Sequence, residues 1–295
     1  MFAIMDFELR RYRGQIIAWG LVLFLLGLMV LSFYPTLTEQ QDMLQDFIGI
    51  IPEEMQSFFG DFALFGTPQG FLDIEFFSYM PVVLGIFAFL AGSGMLVADE
   101  ESGRLDLIMA HPVSRSALMA GRLLAYGAAA ALICAIGWLG LVLPILWWHI
   151  DVDIWRLPLA FLPLWVHTLL FGALALLLSL GLPSRRAAAM ASGVLLVMSF
   201  FVRGLSEIFP QLETVAKLSP MTYYQGAGAM EGVNLEWLAG VAGSTLVITL
   251  IAWRLFQRRD IRVGGEAGWG LREFLSRRGA MAGSWGPPSR DSQST

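Results

Sequence analysis

The chain has one cysteine and three histidines in 295 residues, and only 15% of its residues are charged. Each shortage excludes something. Among the basic residues Lys217 is the only lysine, flanked by Ala216 and Leu218. A phosphate-cradling Walker A loop needs Gly-Lys-Ser/Thr, so this chain has no conventional P-loop and any ATP hydrolysis has to come from another polypeptide. The lone Cys134 sits inside an apolar run, which excludes an intramolecular disulfide and a cysteine-rich metal site. It reads as a small packing residue. A net charge of -5 leaves no nucleic-acid footprint. The charged fraction falls well short of the roughly 25% usual in a soluble domain.

What the chain has instead is apolar residue in long runs. Hydrophobic residues make up 56% of it, and the mean hydropathy is +0.64. A membrane span needs about 20 predominantly apolar residues to cross roughly 30 Å of hydrocarbon. Six apolar runs read as spans, at about 16–34, 77–98, 123–148, 159–182, 187–202 and 237–256, the fifth being the shortest. The first follows Arg10, Arg11 and Arg13 as a signal peptide would, but it is too long and no small-residue cleavage site follows, so it reads as an uncleaved span. The expected fold is an all-α integral membrane protein: an N-terminal elbow segment at 1–15, a six-helix transmembrane domain at 16–262 and a flexible Gly-, Ser- and Arg-rich tail at 263–295. No internal repeat is visible.

Of the 19 basic residues, 16 fall on one side of this topology and 3 (Arg156, Arg203, Lys217) on the other. Basic residues accumulate on the cytoplasmic side, which places both termini and the 99–122 loop there. Trp147, Trp148, Trp155 and Trp165 cluster where an aromatic belt would lie on the outer side. Two amphipathic segments are expected outside. One, at 35–76, carries eight acids and no Lys or Arg; the other, at 203–235, is broken by Pro210 and Pro220.

No Asp, Glu, Lys or Arg lies near the centre of any run. Intramembrane charges mark proton and ion paths, so their absence argues against an ion-coupled carrier and against a membrane-embedded carboxylate enzyme. His167 is the one histidine within a span, and a hydrogen bond between helices explains it. Small residues recur at helical spacing at Gly127, Ala131 and Ala135, at Ala189 and Gly193, and at Ala239 and Gly243, a pattern that permits close helix packing or a seam between subunits.

The most informative stretch is 98–115, Ala-Asp-Glu-Glu-Ser-Gly-Arg-Leu-Asp-Leu-Ile-Met-Ala-His-Pro-Val-Ser-Arg. It leaves the second span directly. Leu105, Ile108 and Met109 share one face of a short helix of about 101–110, Pro112 ends that helix, and a new helix starts at Ser114 and runs through Gly121 and Arg122 into the third span. A short amphipathic helix clamped between two spans suits insertion into a cleft of a soluble motor; on the residues alone, a solvated turn with a charged cap explains the stretch at least as well.

This arrangement resembles the type-2 permease family of ABC transporters, in which the second and third spans are joined by Glu-x-Gly-x-Leu-x-x-Leu/Ile-x-x-x-Pro-Val-Ser-Arg followed by Gly-Lys. Glu101, Gly103, Leu105, Ile108, Pro112, Val113, Ser114, Arg115 and Gly121 fit, and Arg122 keeps the charge of the usual lysine. Weaker likenesses occur in the right order at Glu8-Leu9-Arg10-Arg11, Leu218-Ser219-Pro220-Met221-Thr222-Tyr223-Tyr224 and Phe256-Gln257-Arg258-Arg259-Asp260-Ile261. The resemblance covers about residues 5–262.

It implies a permease subunit in the plasma membrane that exports a hydrophobic drug, lipid or ion. It also implies an ABC ATPase partner that supplies the ATP and Mg chemistry, a second permease copy or paralogue, and surrounding lipid; the chain itself would bind no cofactor. The 99–115 loop would hold the coupling helix, with Glu100, Glu101, Gly103, Arg104 and Asp106 making or shaping the ATPase contact. Leu105, Ile108 and Met109 would enter the partner's cleft, Gly103 would allow a tight turn or close approach, and Pro112 and Arg115 would set the return into the third span. Two rivals share the topology. One is an assembly or sensor protein that transports nothing; the other is a lipid-modifying enzyme, whose only acidic candidates are Glu53, Glu54 and Asp61.

Overall fold

The computed structural model describes residues 2–39 and 66–258, and every regular element among them is helical. In chain order these are α1 (Phe2–Glu39), α2 (Pro68–Leu72), a π-helical turn (Asp73–Phe77), α3 (Met80–Gly94), α4 (Val97–Glu101), α5 (Arg104–Met109) and α6 (Arg115–Trp148). There follow α7 (Leu157–Gly181), α8 (Arg185–Ile208), a 3-10 turn (Pro210–Leu212), α9 (Glu213–Ala216), 3-10 turns at Pro220–Tyr223 and Gly226–Met230, and α10 (Leu235–Arg258). Among the described residues six helical stretches are long and apolar enough to cross a membrane: α1, α2 through α3, α6, α7, α8 and α10.

The N-terminal segment is not set off as a separate elbow. Residues 2–15 continue α1 without interruption, because no proline precedes Pro35 and the glycines at 14, 20 and 27 stand singly. At 1.5 Å per residue its 38 residues reach about 57 Å, so the first turns project beyond a hydrocarbon layer of roughly 30 Å. The third span likewise begins earlier than its apolar run, at Arg115, where the Ser114 hydroxyl accepts the Ala117 N–H as an N-cap. Helix α8 runs on to Ile208, past the expected end at 202. Pro210 and Pro220 each open a 3-10 turn at its first position, where a missing N–H costs nothing.

Helix α1 packs along α6, α3 along α7, α10 against α7, and α8 against both α3 and α7. The closest approaches use other glycines than the expected stripes. A Cβ at Gly140 would strike the Phe24 backbone, and one at Gly92 would strike the Gly172 carbonyl. Gly127 meets only Leu169 at 3.8 Å, and Gly243 has nothing within 4 Å. Spacing makes a smooth stripe, but the pairing of spans decides which stripe is used.

His167 is buried, with Nδ1 2.8 Å from the Pro163 carbonyl of its own helix and Nε2 2.9 Å from the Pro220 carbonyl. It ties α7 to the turn at Pro220–Tyr223 rather than to another span. Glu53, Glu54 and Asp61, and the tail at 263–295, lie outside the described residues.

Candidate functional site

The link between α3 and α6 is built from two short helices rather than one. Helix α3 stops at Gly94; α4 follows, and α5 starts after a sharp turn at Gly103, whose φ of 69° is the left-handed region that glycine adopts without strain. Nothing lies within 4 Å of the place a Gly103 Cβ would occupy, so this glycine serves the turn and not a close approach. Helix α5 ends at Met109, ahead of Pro112, and Ser114 opens α6.

Asp99, on α4, is the centre of the site. It is 1% exposed, and three arginines converge on it. Arg11 of α1 grips it with both terminal guanidinium nitrogens, at 2.9 and 3.1 Å. Arg122 of α6 donates to it at 2.5 Å and to the Met95 carbonyl at 2.5 Å. Arg104 of α5 approaches it at 3.2 Å and donates to the Ser102 hydroxyl at 3.0 Å. The buried Glu8 of α1 completes the network, 3.0 Å from Arg122 Nε and 3.6 Å from Arg11. The Arg122 N–H at Nε is not aligned with that Glu8 oxygen and makes no hydrogen bond, so charge proximity alone joins the two.

Burial by itself would raise the Asp99 carboxyl. The hydrogen bond from Arg11 and the charges of Arg122 and Arg11 outweigh it and hold Asp99 below the ordinary 3.8. Arg11 is correspondingly raised above its ordinary value, first by its hydrogen bond to Asp99.

The rest of the loop reaches other spans. Glu101 Oε1 accepts the Arg185 backbone N–H at 2.9 Å, placing a carboxylate at the N-terminus of α8, where helix dipole and free N–H groups favour it. Ser184 caps the same helix through the Ala187 N–H. Arg115 donates to the Phe256 and Gln257 carbonyls at 3.2 and 3.4 Å, and its guanidinium carbon lies 5.9 Å from the Phe256 ring centroid. It therefore closes the C-terminal end of α10, a role beyond the expected return into α6. Through Asp99, Glu101 and Arg115 the loop is tied to α1, α6, α8 and α10.

The apolar stripe departs from expectation. Leu105 is 2% exposed and belongs to the main hydrophobic core, and Ile108 and Met109 pack partly on that core. Leu105 is therefore taken up by the chain's own core, while Ile108 and Met109 are covered only in part. The outward surface consists of Asp106, Leu107, Ala110, His111 and Pro112, with Leu107 68% exposed. Glu100 is buried, whereas Glu101 and Arg104 remain at the surface. Sequence reasoning passed over Glu8, Arg11, Asp99, Arg122 and Leu107 as site residues. The available signals were an acid placed directly at the end of an apolar run, a single arginine opening the third run and an arginine cluster before the first. Among the described residues no three His, Cys, Asp or Glu side chains converge to hold a metal ion.

None of the curated proteins compared with this chain matches it significantly. The sequence model of a family described as ABC-2 family transporter protein matches residues 2–261, nearly the whole chain and the entire bundle with its charged loop. The chain belongs to the ABC-2 family of transporter proteins.

Proposed function

We propose that the chain is the permease subunit of an ATP-driven exporter, and that the loop between α3 and α6 passes the movement of a separate ABC ATPase to the spans. The observation that carries this reading is the triple anchorage of the loop: Asp99 on Arg11 and Arg122, Glu101 on the first N–H of α8, and Arg115 on the last carbonyls of α10. A push on α5 is then felt by four spans at once. A solvated turn has no need of a buried carboxylate held by three cations. Such an arrangement fixes geometry at a cost in desolvation.

In this reading the loop and both termini are cytoplasmic, in keeping with the distribution of arginines. Asp106, Leu107, Ala110, His111 and Pro112 form the docking tip, with Arg104 and Glu101 beside it. The ATPase binds ATP and Mg; this chain contributes no P-loop. Helices α8 and α10 present exposed apolar side chains such as Val194, Met198, Phe201, Leu246 and Leu250, which suit lipid and a second permease copy. The apolar spans favour a hydrophobic substrate.

The test is a pull-down of the ATPase subunit by Leu107→Asp and by His111→Ala. Both side chains are exposed, so the variants are expected to fold and insert. Leu107→Asp is expected to lower ATPase recovery at least tenfold, the loss of a central apolar anchor, and His111→Ala less. Undiminished recovery with Leu107→Asp overturns the docking assignment.

A further inference from the structure

A cavity of about 170 Å³ lies beside the charged network, lined by Glu8, Arg11, Gln15, Arg122 and Arg185 on its polar side and by Leu90, Ala91 and Met95 on its apolar side. That is roughly ten times what a single water needs. Its lining carries three arginines and one carboxylate, Glu8, which lies 3.0 Å from Arg122 and 3.6 Å from Arg11. Arg122 is 1% exposed; its terminal nitrogens serve Asp99 and the Met95 carbonyl, and its Nε lies 3.0 Å from Glu8 without hydrogen-bond alignment. Among the described residues the Arg185 guanidinium makes one long hydrogen bond, 3.4 Å to the Leu90 carbonyl, and no ion pair. It lies across Gly94, where a Cβ would come within 2.9 Å of it; the missing side chain gives the arginine its path.

The cavity straddles a boundary in depth. Arg11 and Gln15 precede the point where α1 turns continuously apolar, at Ile16, while Leu90 and Ala91 belong to the apolar run of α3. Arg11, Gln15 and Leu90 are exposed, so the cleft is reachable from outside. A partly exposed arginine with spare donors, Arg185, beside the charges of Arg11 and Arg122 and at the level where an apolar helix surface gives way to a polar one, matches a phosphate with acyl chains below it.

We infer that this cleft binds the phosphate of an anionic phospholipid, with Arg185 donating to the phosphate oxygens, Arg11 and Arg122 lending positive charge, and Leu90 flanking the glycerol end. The bound lipid would stiffen the junction of α1, α3, α6 and α8 beside the loop. This assignment does not depend on docking of an ATPase.

The experiment uses the purified full chain in detergent with three probes: dioleoyl phosphatidylglycerol, dioleoyl phosphatidylcholine and inorganic phosphate. Native mass spectrometry reads retained lipid, and a thermal melt reads stabilisation. The wild type is expected to retain one phosphatidylglycerol per chain and to melt higher with it, and to retain phosphatidylcholine at least fivefold less. A matching rise with inorganic phosphate would show that the oxyanion alone is recognised; a rise with the lipid only would show that the acyl chains are needed. Either outcome supports the site.

Arg185→Gln and Gln15→Glu are each expected to cut phosphatidylglycerol retention about tenfold, the scale of one charge-assisted contact, with unchanged elution volume. The exposed Gln15 keeps the test open should Arg185→Gln fold poorly. Equal retention of both lipids with no phosphate effect, or undiminished phosphatidylglycerol retention in Gln15→Glu, overturns the proposal.

Discussion

At the arginine-rich end of the bundle, the link from α3 to α6 is held by charged side chains that reach far along the sequence, 88 residues from Arg11 to Asp99 and 141 from Arg115 to Phe256. At the opposite end the turns at Pro220–Tyr223 and Gly226–Met230 are held mainly through backbone groups. Asp73 accepts the Ala227 N–H at 2.6 Å, His167 meets the Pro220 carbonyl, and the Ser219 hydroxyl donates to the Ser199 carbonyl at 2.9 Å. Ion pairs there, Arg156 with Asp153 and Lys217 with Glu213, are exposed and local. Bonds to backbone carbonyls and N–H groups set a shape and change little with charge. A buried carboxylate among arginines costs desolvation and gains register, and it responds to anything that alters its charges. One end is built to hold, the other to be acted upon.

The most direct way to break this contrast is to remove one member from each end. Arg122→Leu leaves Asp99 and Glu8 buried with less compensation and is expected to cost about 3–5 kcal/mol. Gly226→Ala forces a side chain onto a residue whose φ is 54° and pushes its Cβ onto the Asp73 carboxylate; about 1–3 kcal/mol is expected. Thermal melts of both variants in one detergent decide. If Gly226→Ala is the more damaging, the charged network is dispensable and the contrast is inverted.

Acid sharpens the same comparison. Asp99 is held below its ordinary 3.8 in the folded chain. A group with a depressed folded value contributes stability that is complete above the unfolded value and is lost as pH falls through the folded one. The Asp99 contribution is therefore full at neutral pH and fades below about 3.8. Melting midpoints taken downward from pH 5 are expected to fall more steeply for the wild type than for Asp99→Asn, which has no charge to lose. Parallel curves would show that Asp99 is not the acid-sensitive group.

How much of this was legible in sequence depends on the range of the interaction. Ser114 as a cap, Pro112 as a stop and Gly103 as a turn act on their immediate neighbours, so residue type and position suffice. Six spans follow from run length alone. The shared face of Leu105, Ile108 and Met109 was legible on α5, but what covers it was not, because a six-residue helix with a fourth apolar residue at Leu107 does not say whether its own bundle or a partner takes that face. Only the neighbouring core decides that Leu105 points in and Leu107 out. Arg11 and Arg122 looked like topology signals, since a basic residue at a span end has a sufficient reason to be there. Their shared partner appears only once α1 lies against α6. Which glycines meet a neighbouring helix within the chain was not legible for the same reason: Gly127 and Gly140 are alike in sequence, and packing with α1 distinguishes them.

The smallest effect on stability is expected at Glu101, and it separates holding from transmission. Its carboxylate accepts the Arg185 N–H at the N-terminus of α8, at a surface position. Glu101→Gln keeps an oxygen able to accept that bond but removes the charge at the positive helix end, a loss of about 0.3–1 kcal/mol. Glu101→Ala removes both. Neither change opens a cavity or strands a buried charge, so both variants are expected to fold, insert and bind the ATPase. If the loop only needs to be in place, transport per ATP hydrolysed stays at the wild-type value in both. If Glu101 is the link through which the loop moves α8, that ratio falls in Glu101→Ala and less in Glu101→Gln, while ATPase recovery is unchanged. Transport and hydrolysis measured together in proteoliposomes read the ratio directly. A graded fall with intact docking would mark this contact as part of the transmission, because a merely structural cap would lower melting temperature and transport together.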